Sequence, residues 1–159
     1  MTIALIPIAP EHLDGTQHLW LPYIKSISER DKCDPAEKLR KLYAAEAQAF
    51  LIWDVEAKKA LAFLGVDYVL RGKERQAVLI WLAGENRAVW THLFTDLETY
   101  LRDEQGCKSV KAIARPGWEK YLKPAGFRET HRVLEKELGD AAIPQSVMAM
   151  GRANDAGRS

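Results

Sequence analysis

The apolar positions change period several times along the chain, and each change predicts an element. Residues 2–8 (TIALIPI) form an apolar run of strand length, which Pro7 confines to a sheet edge or a strand end because proline cannot donate to a ladder. From Thr16 onward Leu19, Trp20, Tyr23, Ile24 and Ile27 fall on one helical stripe, with Pro22 set to kink the helix or start it afresh. Asp34-Pro35-Ala36-Glu37 reads as a second helix start: Asp34 caps, Pro35 suits the first helical position and Glu37 completes a capping box. Leu39, Leu42 and Tyr43 supply the buried face of that helix.

Three strand-like runs follow. Residues 49–55 (AFLIWDV) and 60–70 (ALAFLGVDYVL) are joined through the polar stretch 56–59, which predicts a hairpin, and Arg71-Gly72-Lys73 turns the chain into 77–82 (AVLIWL). That last run has no polar residue, so it is expected at the centre of a sheet, buried on both faces. Past Gly84 the period is helical again. Val89, Trp90, Leu93, Phe94, Leu97 and Leu101 predict one amphipathic helix, capped by Asn86 and stopped near Gly106. A strand over 109–114 comes next, then a short helix opened by Pro116, carrying Trp118, Tyr121 and Leu122, and ended by Pro124 and Gly126. Residues 127–138 (FRETHRVLEKEL) alternate in part and predict an exposed closing strand or hairpin, with Arg128, Arg132 and Lys136 on one face and Glu129, Glu135 and Glu137 on the other. From Gly139 small and polar residues dominate, which predicts a tail.

Composition narrows the class. The 159 residues suffice for one domain, and 47% apolar with 28% charged is the mixture of a folded chain. Twenty-three basic against 22 acidic residues leave +1, so no global field favours nucleic acid or an anionic membrane. Residues 1–10 lack the basic stretch and long apolar run of a signal peptide or membrane span, and a cytoplasmic protein is expected. Cys33 and Cys107 have no Cys or His neighbours at metal-ligand spacing and are expected as free thiols. Of the five tryptophans, Trp53 and Trp81 lie inside apolar strands and are expected in the core.

The resulting order, β-α-α-β-β-β-α-β-α-β, describes an α+β domain. In that order, and in the closing segment Trp118-Glu-Lys-Tyr121-Leu-Lys-Pro-Ala-Gly126-Phe127 followed by Val133-Leu-Glu-Lys136-Glu-Leu138, the chain resembles the GNAT superfamily of acyl-CoA N-acyltransferases. The resemblance implies a mixed, twisted central sheet with helices on both faces over residues 1–138, and 139–159 as a polar tail. It also implies acetyl-CoA as cofactor and direct transfer of an acetyl group to an amine of a small molecule or a protein, with no covalent enzyme intermediate.

In that family the acyl-CoA pyrophosphate rests on the turn between the central strand and the long helix. There the first N–H groups of a helix lack partners and the dipole places about half a positive charge. That turn is residues 82–88 here, so the resemblance assigns Leu82, Gly84, Asn86, Arg87 and Ala88 to cofactor binding. The N–H groups of Arg87, Ala88 and Val89 would face the phosphates, with the Arg87 guanidinium adding charge. The turn diverges from the family's Gln/Arg-x-x-Gly-x-Gly/Ala pattern: aligned on Gly84, Trp81 stands first and Asn86 last, and Glu85 sets a carboxylate beside the anion. Tyr121 corresponds to the last-helix tyrosine that protonates the leaving thiolate, although it stands one residue further from Gly126 than the family's spacing of four. The residues alone fit a core-facing tyrosine beside Trp118 and Leu122 as well. Asp67, Glu74 and Glu85 are the carboxylates considered as the base, and each also suits a solvated or capping role. His12, His18, His92 and His131 lack partners at ligand spacing.

A second reading keeps this fold without the catalysis. Gly117-Trp118 followed by Gly126-Phe127 is similar to the closing segment of phage-encoded relatives, which implies a structural or binding component of a virion or other assembly. The tail would then contact a second copy or another partner. The near-neutral charge disfavours a nucleic-acid-associated domain.

Overall fold

The computed structural model of the chain describes residues 2–140. One compact unit ends at Arg128 and a second begins at Glu129. In the first, β1 (Ile3–Ile8), β2 (Ala47–Asp54), β3 (Lys59–Arg71), β4 (Glu74–Gly84) and β5 (Cys107–Ala112) form one sheet in chain order. The first four are antiparallel, and β5 lies parallel to β4, as a helical crossover between them requires. Pro7 sits in the edge strand β1, where its missing donor costs least. Local chemistry closes both hairpins. The Asp54 carboxylate accepts from the N–H groups of Glu56 and Ala57 at 3.1 Å, and Gly72, with φ +66°, takes the turn position between the paired Arg71 and Glu74.

Alternation along the strands divides the core into two layers. Ala49 and Leu51 of β2 join Phe63 and Trp81 under α1 (Leu13–Arg30) and α2 (Pro35–Tyr43), which contribute Trp20, Ile24 and Leu42. Phe50 and Ile52 join Leu64 and Leu79 on the other face, under α3 (Arg87–Trp90), α4 (Phe94–Asp103) and α5 (Glu119–Leu122). This is the expected α+β architecture: a mixed sheet with helices on both faces.

Several expectations are corrected, each for a visible reason. Helix α1 starts at Leu13, after a 3₁₀ turn, and continues through Pro22; Trp20 and Ile24, fully buried on either side of it, hold the helix while only the proline's own N–H bond is lost. Asp34 caps α2 through the Ala36 N–H at 2.9 Å, but Glu37 closes no capping box, because its carboxylate is taken by Arg40 at 2.8 Å in a stronger charged pair. The single helix expected after Gly84 is three pieces: α3, a 3₁₀ turn over Thr91–Leu93, and α4. Trp90 breaks it. Its φ is −118°, its indole N–H donates back to the Glu85 carbonyl at 2.8 Å, and its ring packs on Phe94 and Trp118. Residues 77–82 do lie in an interior strand, but β3 holds the middle of the five. Trp81 is buried as expected, whereas Trp53, at a register shift in β2, is only half-buried.

The closing strand is absent from the described residues: 127–140 form neither helix nor strand. Val133 and Leu134 are 85% and 88% exposed. Being adjacent, they would point to opposite faces of a strand, so the segment offers no continuous apolar face to offset the entropy of ordering it. The expected tail lies, from residue 141, outside the described residues. Cys33, exposed, and Cys107, buried, are free thiols. No helix among the described residues is long and apolar enough to cross a membrane.

Candidate functional site

Beyond one point β4 and β5 stop pairing. Their last matched residues are Leu79 and Ala112, followed by one bond from the Ile113 N–H to the Leu79 carbonyl at 3.0 Å. At the same level Ile80 is passed over in the β3–β4 register, a bulge in β4. From there to Gly84, β4 is paired with β3 alone, leaving a notch on its other side. The Glu85 N–H bonds Leu61 of β3 at 3.0 Å, and backbone groups alternate along a strand, so Leu82 and Gly84 direct theirs toward the notch. The Leu82 side chain is buried in the α4-side core.

The turn after β4 has a left-handed residue at Asn86, with φ 52° and ψ 47°, a conformation asparagine tolerates better than most residues. Asn86 precedes α3 as expected, but its side chain makes no capping bond. The Val89 N–H, expected to face an anion, is closed onto the Asn86 carbonyl at 2.9 Å; Arg87 and Ala88 open the helix, where N–H groups have no intrahelical acceptor. A Cβ at Gly84 would lie 2.5 Å from the Ala62 Cβ, so the approach of β3 alone requires this glycine.

Arg87 and Tyr121, widely separated in sequence, meet. The Arg87 guanidinium lies 4.2 Å from the centre of the Trp118 ring and 5.8 Å from that of Tyr121, and its Nη1 donates to the Gly117 carbonyl at 3.4 Å. Chain leaving β4 is thereby joined to chain that follows β5. Tyr121 is half-buried, edge-on to Trp118 at 6.1 Å, and its hydroxyl has no hydrogen-bond partner among the described residues. The helix beneath it ends in a Schellman motif: the Phe127 N–H bonds Leu122, the Gly126 N–H bonds Lys123, and Gly126 takes φ +96°. Pro124 therefore sits inside the helix's last turn and supplies the extra residue between Tyr121 and the glycine.

The candidate bases are separated. Glu74 begins β4 and Gly84 ends it, roughly 33 Å apart for an extended strand of 11 residues. Asp67, opposite Val78, accepts from the Tyr68 N–H at 2.9 Å and also lies toward the far end. Only Glu85 is at the turn. It is exposed, and its charge reaches α1: burial pushes the Tyr23 phenol above its ordinary pKa, and the charge of Glu85 raises it further. Tyr23 donates to the Ala60 carbonyl at 3.3 Å, which places it at this end too. Sequence periodicity marked Tyr23 and Trp118 only as packing residues; their place at the site depends on the tertiary fold.

No protein-family model matches the sequence, and no curated protein sequence does. Solved structures match in fold. Glucosamine-6-phosphate N-acetyltransferase from Arabidopsis thaliana superposes with a TM-score of 0.58 at 12% identity, over 87% of this chain and all of that one. An aminoglycoside acetyltransferase from an uncultured soil metagenomic sample, in complex with sisomicin, gives 0.60 at 14% identity, over 87% of this chain and 97% of that one. A predicted acetyltransferase from Clostridium acetobutylicum, with acetyl-CoA, gives 0.57 at 11% identity, over 86% and 97%.

Proposed function

With the GNAT acetyltransferase fold as premise, we propose that the chain transfers an acetyl group from acetyl-CoA to an amine carried by a small molecule or a protein, in the cytoplasm. The observation that carries this reading is the meeting of Arg87 with Trp118 and Tyr121 beside the β4–β5 notch. It brings a guanidinium suited to phosphate and a phenol able to give a proton to the open end of one strand. Neighbours bearing acetyl-CoA and an aminoglycoside support the two substrate classes.

The donor set suits a diphosphate: the Arg87 guanidinium and the first N–H groups of α3. The backbone groups of Leu82 and Gly84 suit the amides of a pantetheine arm. Acetyl-CoA supplies a thioester-activated acyl group. In the transfer an amine nitrogen forms a C–N bond to the acyl carbon as the C–S bond breaks. Tyr121 gives its phenolic proton to the departing sulfur and is reprotonated, directly or through water, by the second proton that the nitrogen sheds as the amide forms. Glu85, exposed at the turn, receives the ammonium proton directly or through water.

Titration calorimetry with acetyl-CoA and CoA tests the reading, followed by thiol release in the presence of polyamine, peptide N-terminal and aminoglycoside acceptors. Arg87→Glu is expected to weaken CoA binding more than tenfold, since it replaces a charge-assisted contact of about 1.5–3 kcal/mol with repulsion. Equal affinity in both proteins would move the cofactor elsewhere. Binding without turnover would favour the second reading, a non-catalytic binding protein, for which the Trp81 and Asn86 departures speak.

A further inference from the structure

At the opposite end of the sheet a cavity of about 240 Å³ opens beside the first residues of β2. Its apolar wall includes Ile8, Leu13 and Leu42, and its polar wall is Gln48, Tyr68, Arg75 and Gln105. The polar wall is one hydrogen-bonded chain. Tyr68 donates its phenolic proton to the Gln48 Oε1; the Gln48 Nε2 donates to the Tyr100 hydroxyl at 2.8 Å; the Gln105 Nε2 donates to the same hydroxyl at 3.1 Å; and the Arg75 Nη2 donates to the Gln105 Oε1 at 3.2 Å. The Arg75 guanidinium stacks 4.4 Å above the Tyr68 ring, which closes the circuit.

The direction of these bonds decides what the wall can still bind. Both amide oxygens are used as acceptors, and the Tyr100 oxygen accepts twice. Each amide oxygen keeps one lone pair, but donors predominate in what remains: a second N–H on each amide, the Tyr100 O–H and the unused N–H groups of Arg75. Burial holds the Tyr68 phenol well above its ordinary pKa, so it stays a protonated donor. Arg75 forms no ion pair with any carboxylate among the described residues. Its side chain is thus oriented by stacking and by Gln105, with no carboxylate paired to it among the described residues. A planar guanidinium with spare paired donors suits a carboxylate, and one cation among the lining residues matches one negative charge.

We propose that this cavity binds a small monocarboxylate with an apolar body, its carboxylate on Arg75 and its hydrocarbon against Ile8, Leu13 and Leu42. At about 30 Å³ for each water displaced, the volume accommodates a ligand of about eight to ten heavy atoms. Arg75 and Gly84 stand near opposite ends of β4, roughly 30 Å apart, so this site and the turn at Gly84 are occupied independently. The proposal does not rest on the acetyltransferase reading.

Calorimetry with phenylacetate, 2-phenylethanol and phenethylamine on the full chain tests it. Phenylacetate is expected to bind saturably, with at least tenfold weaker binding of the neutral alcohol and no saturable binding of the amine. Arg75→Gln is expected to weaken phenylacetate at least tenfold while leaving the alcohol unchanged, and Arg75→Lys to fall between. Because Arg75 is exposed, these variants keep the wild-type melting temperature. The proposal is overturned if phenylacetate shows no saturable binding up to about 10 mM, if the alcohol binds equally, or if Arg75→Gln leaves affinity unchanged. Competition by acetyl-CoA would overturn it as well, by placing the carboxylate at the Gly84 end.

Discussion

On the face covered by α1 and α2, packing is carried by a long regular element: α1 has 18 residues and buries Trp20 and Ile24 completely. On the other face α3, α4 and α5 have 4, 10 and 4 residues, and side chains tie them together. Trp90 meets Trp118 at 5.6 Å, Phe94 meets Phe127 at 6.3 Å, and Arg87 lies over Trp118. A long helix keeps its direction through its own backbone bonds; pieces of one turn do not. The second face therefore asks the same residues to hold the structure and to compose the proposed site. A substitution there is expected to change stability and ligand binding together, whereas the first face separates them.

The largest effect expected is the loss of the second face altogether. Leu93 is buried within the 3₁₀ turn between α3 and α4, so Leu93→Asp puts an unpaired carboxylate among the aromatic rings, at a cost of several kcal/mol out of the roughly 5–15 of a whole domain. Circular dichroism and thermal melting should show gross unfolding. An unchanged melting temperature would remove this turn from the core.

A matched pair sharpens the comparison. Trp20→Leu and Trp118→Leu each remove a buried indole while keeping bulk, and each should cost less than the about 3–5 kcal/mol of truncation to alanine. Trp20 also leaves the Leu13 carbonyl without its indole donor at 3.1 Å, so its stability loss should be the greater. CoA affinity should move the other way, falling several-fold in Trp118→Leu, which removes the platform under Arg87, and staying at the wild-type value in Trp20→Leu. Equal affinities would show that Arg87 needs no platform.

The same contrast explains how much of the molecule was legible in its sequence. The first face follows from periodicity and turn chemistry: the stripe of Trp20, Ile24 and Ile27, the Asp34 cap, and the hairpins closed at Asp54 and Gly72 are local signals with local outcomes. The second face was legible as apolar positions but not as geometry. Nothing in the spacing of Val89, Trp90 and Leu93 shows that the Trp90 indole returns to the Glu85 carbonyl and interrupts the helix, because that bond competes with helix propagation only once Trp118 and Phe94 are packed. The meeting of Arg87 with Tyr121 is likewise a product of how β4 and β5 separate, and it is the length of β4 that sets Asp67 and Glu74 far from Gly84. The closing segment failed for the opposite reason: partial alternation suggested a strand, but Val133 beside Leu134 provides no single face to bury.

Tyr121→Phe is next in size and affects rate alone. The ring remains beside Trp118, and the hydroxyl has no hydrogen-bond partner to lose among the described residues, so the melting temperature should hardly change. If the phenol protonates the leaving thiolate, kcat should fall by roughly 10²-fold with KM for acetyl-CoA little altered. Full turnover in the variant would assign Tyr121 to packing and leave the thiolate to be protonated by water.

The smallest effect is expected on the first face, from the hydroxyl that contrasts most with that of Tyr121. Ser28 lies in α1, is 1% exposed, and its Oγ has no hydrogen-bond partner among the described residues. An orphaned buried hydroxyl costs about 1–3 kcal/mol of lost hydration, and serine is also a weaker helix former than alanine by a few tenths of a kcal/mol. Ser28→Ala removes both penalties and opposes them only with the small void of one oxygen atom. It should raise the melting temperature by a few degrees and leave CoA binding and turnover at wild-type values. The sign is the informative part. A stabilised protein with unchanged binding would confirm that the α1 face can be altered without reaching the site. A drop of about 1 kcal/mol would mean that the hydroxyl is satisfied in solution, and a change in CoA affinity would mean that α1 is coupled to the notch, most directly through Tyr23 and its neighbour Glu85.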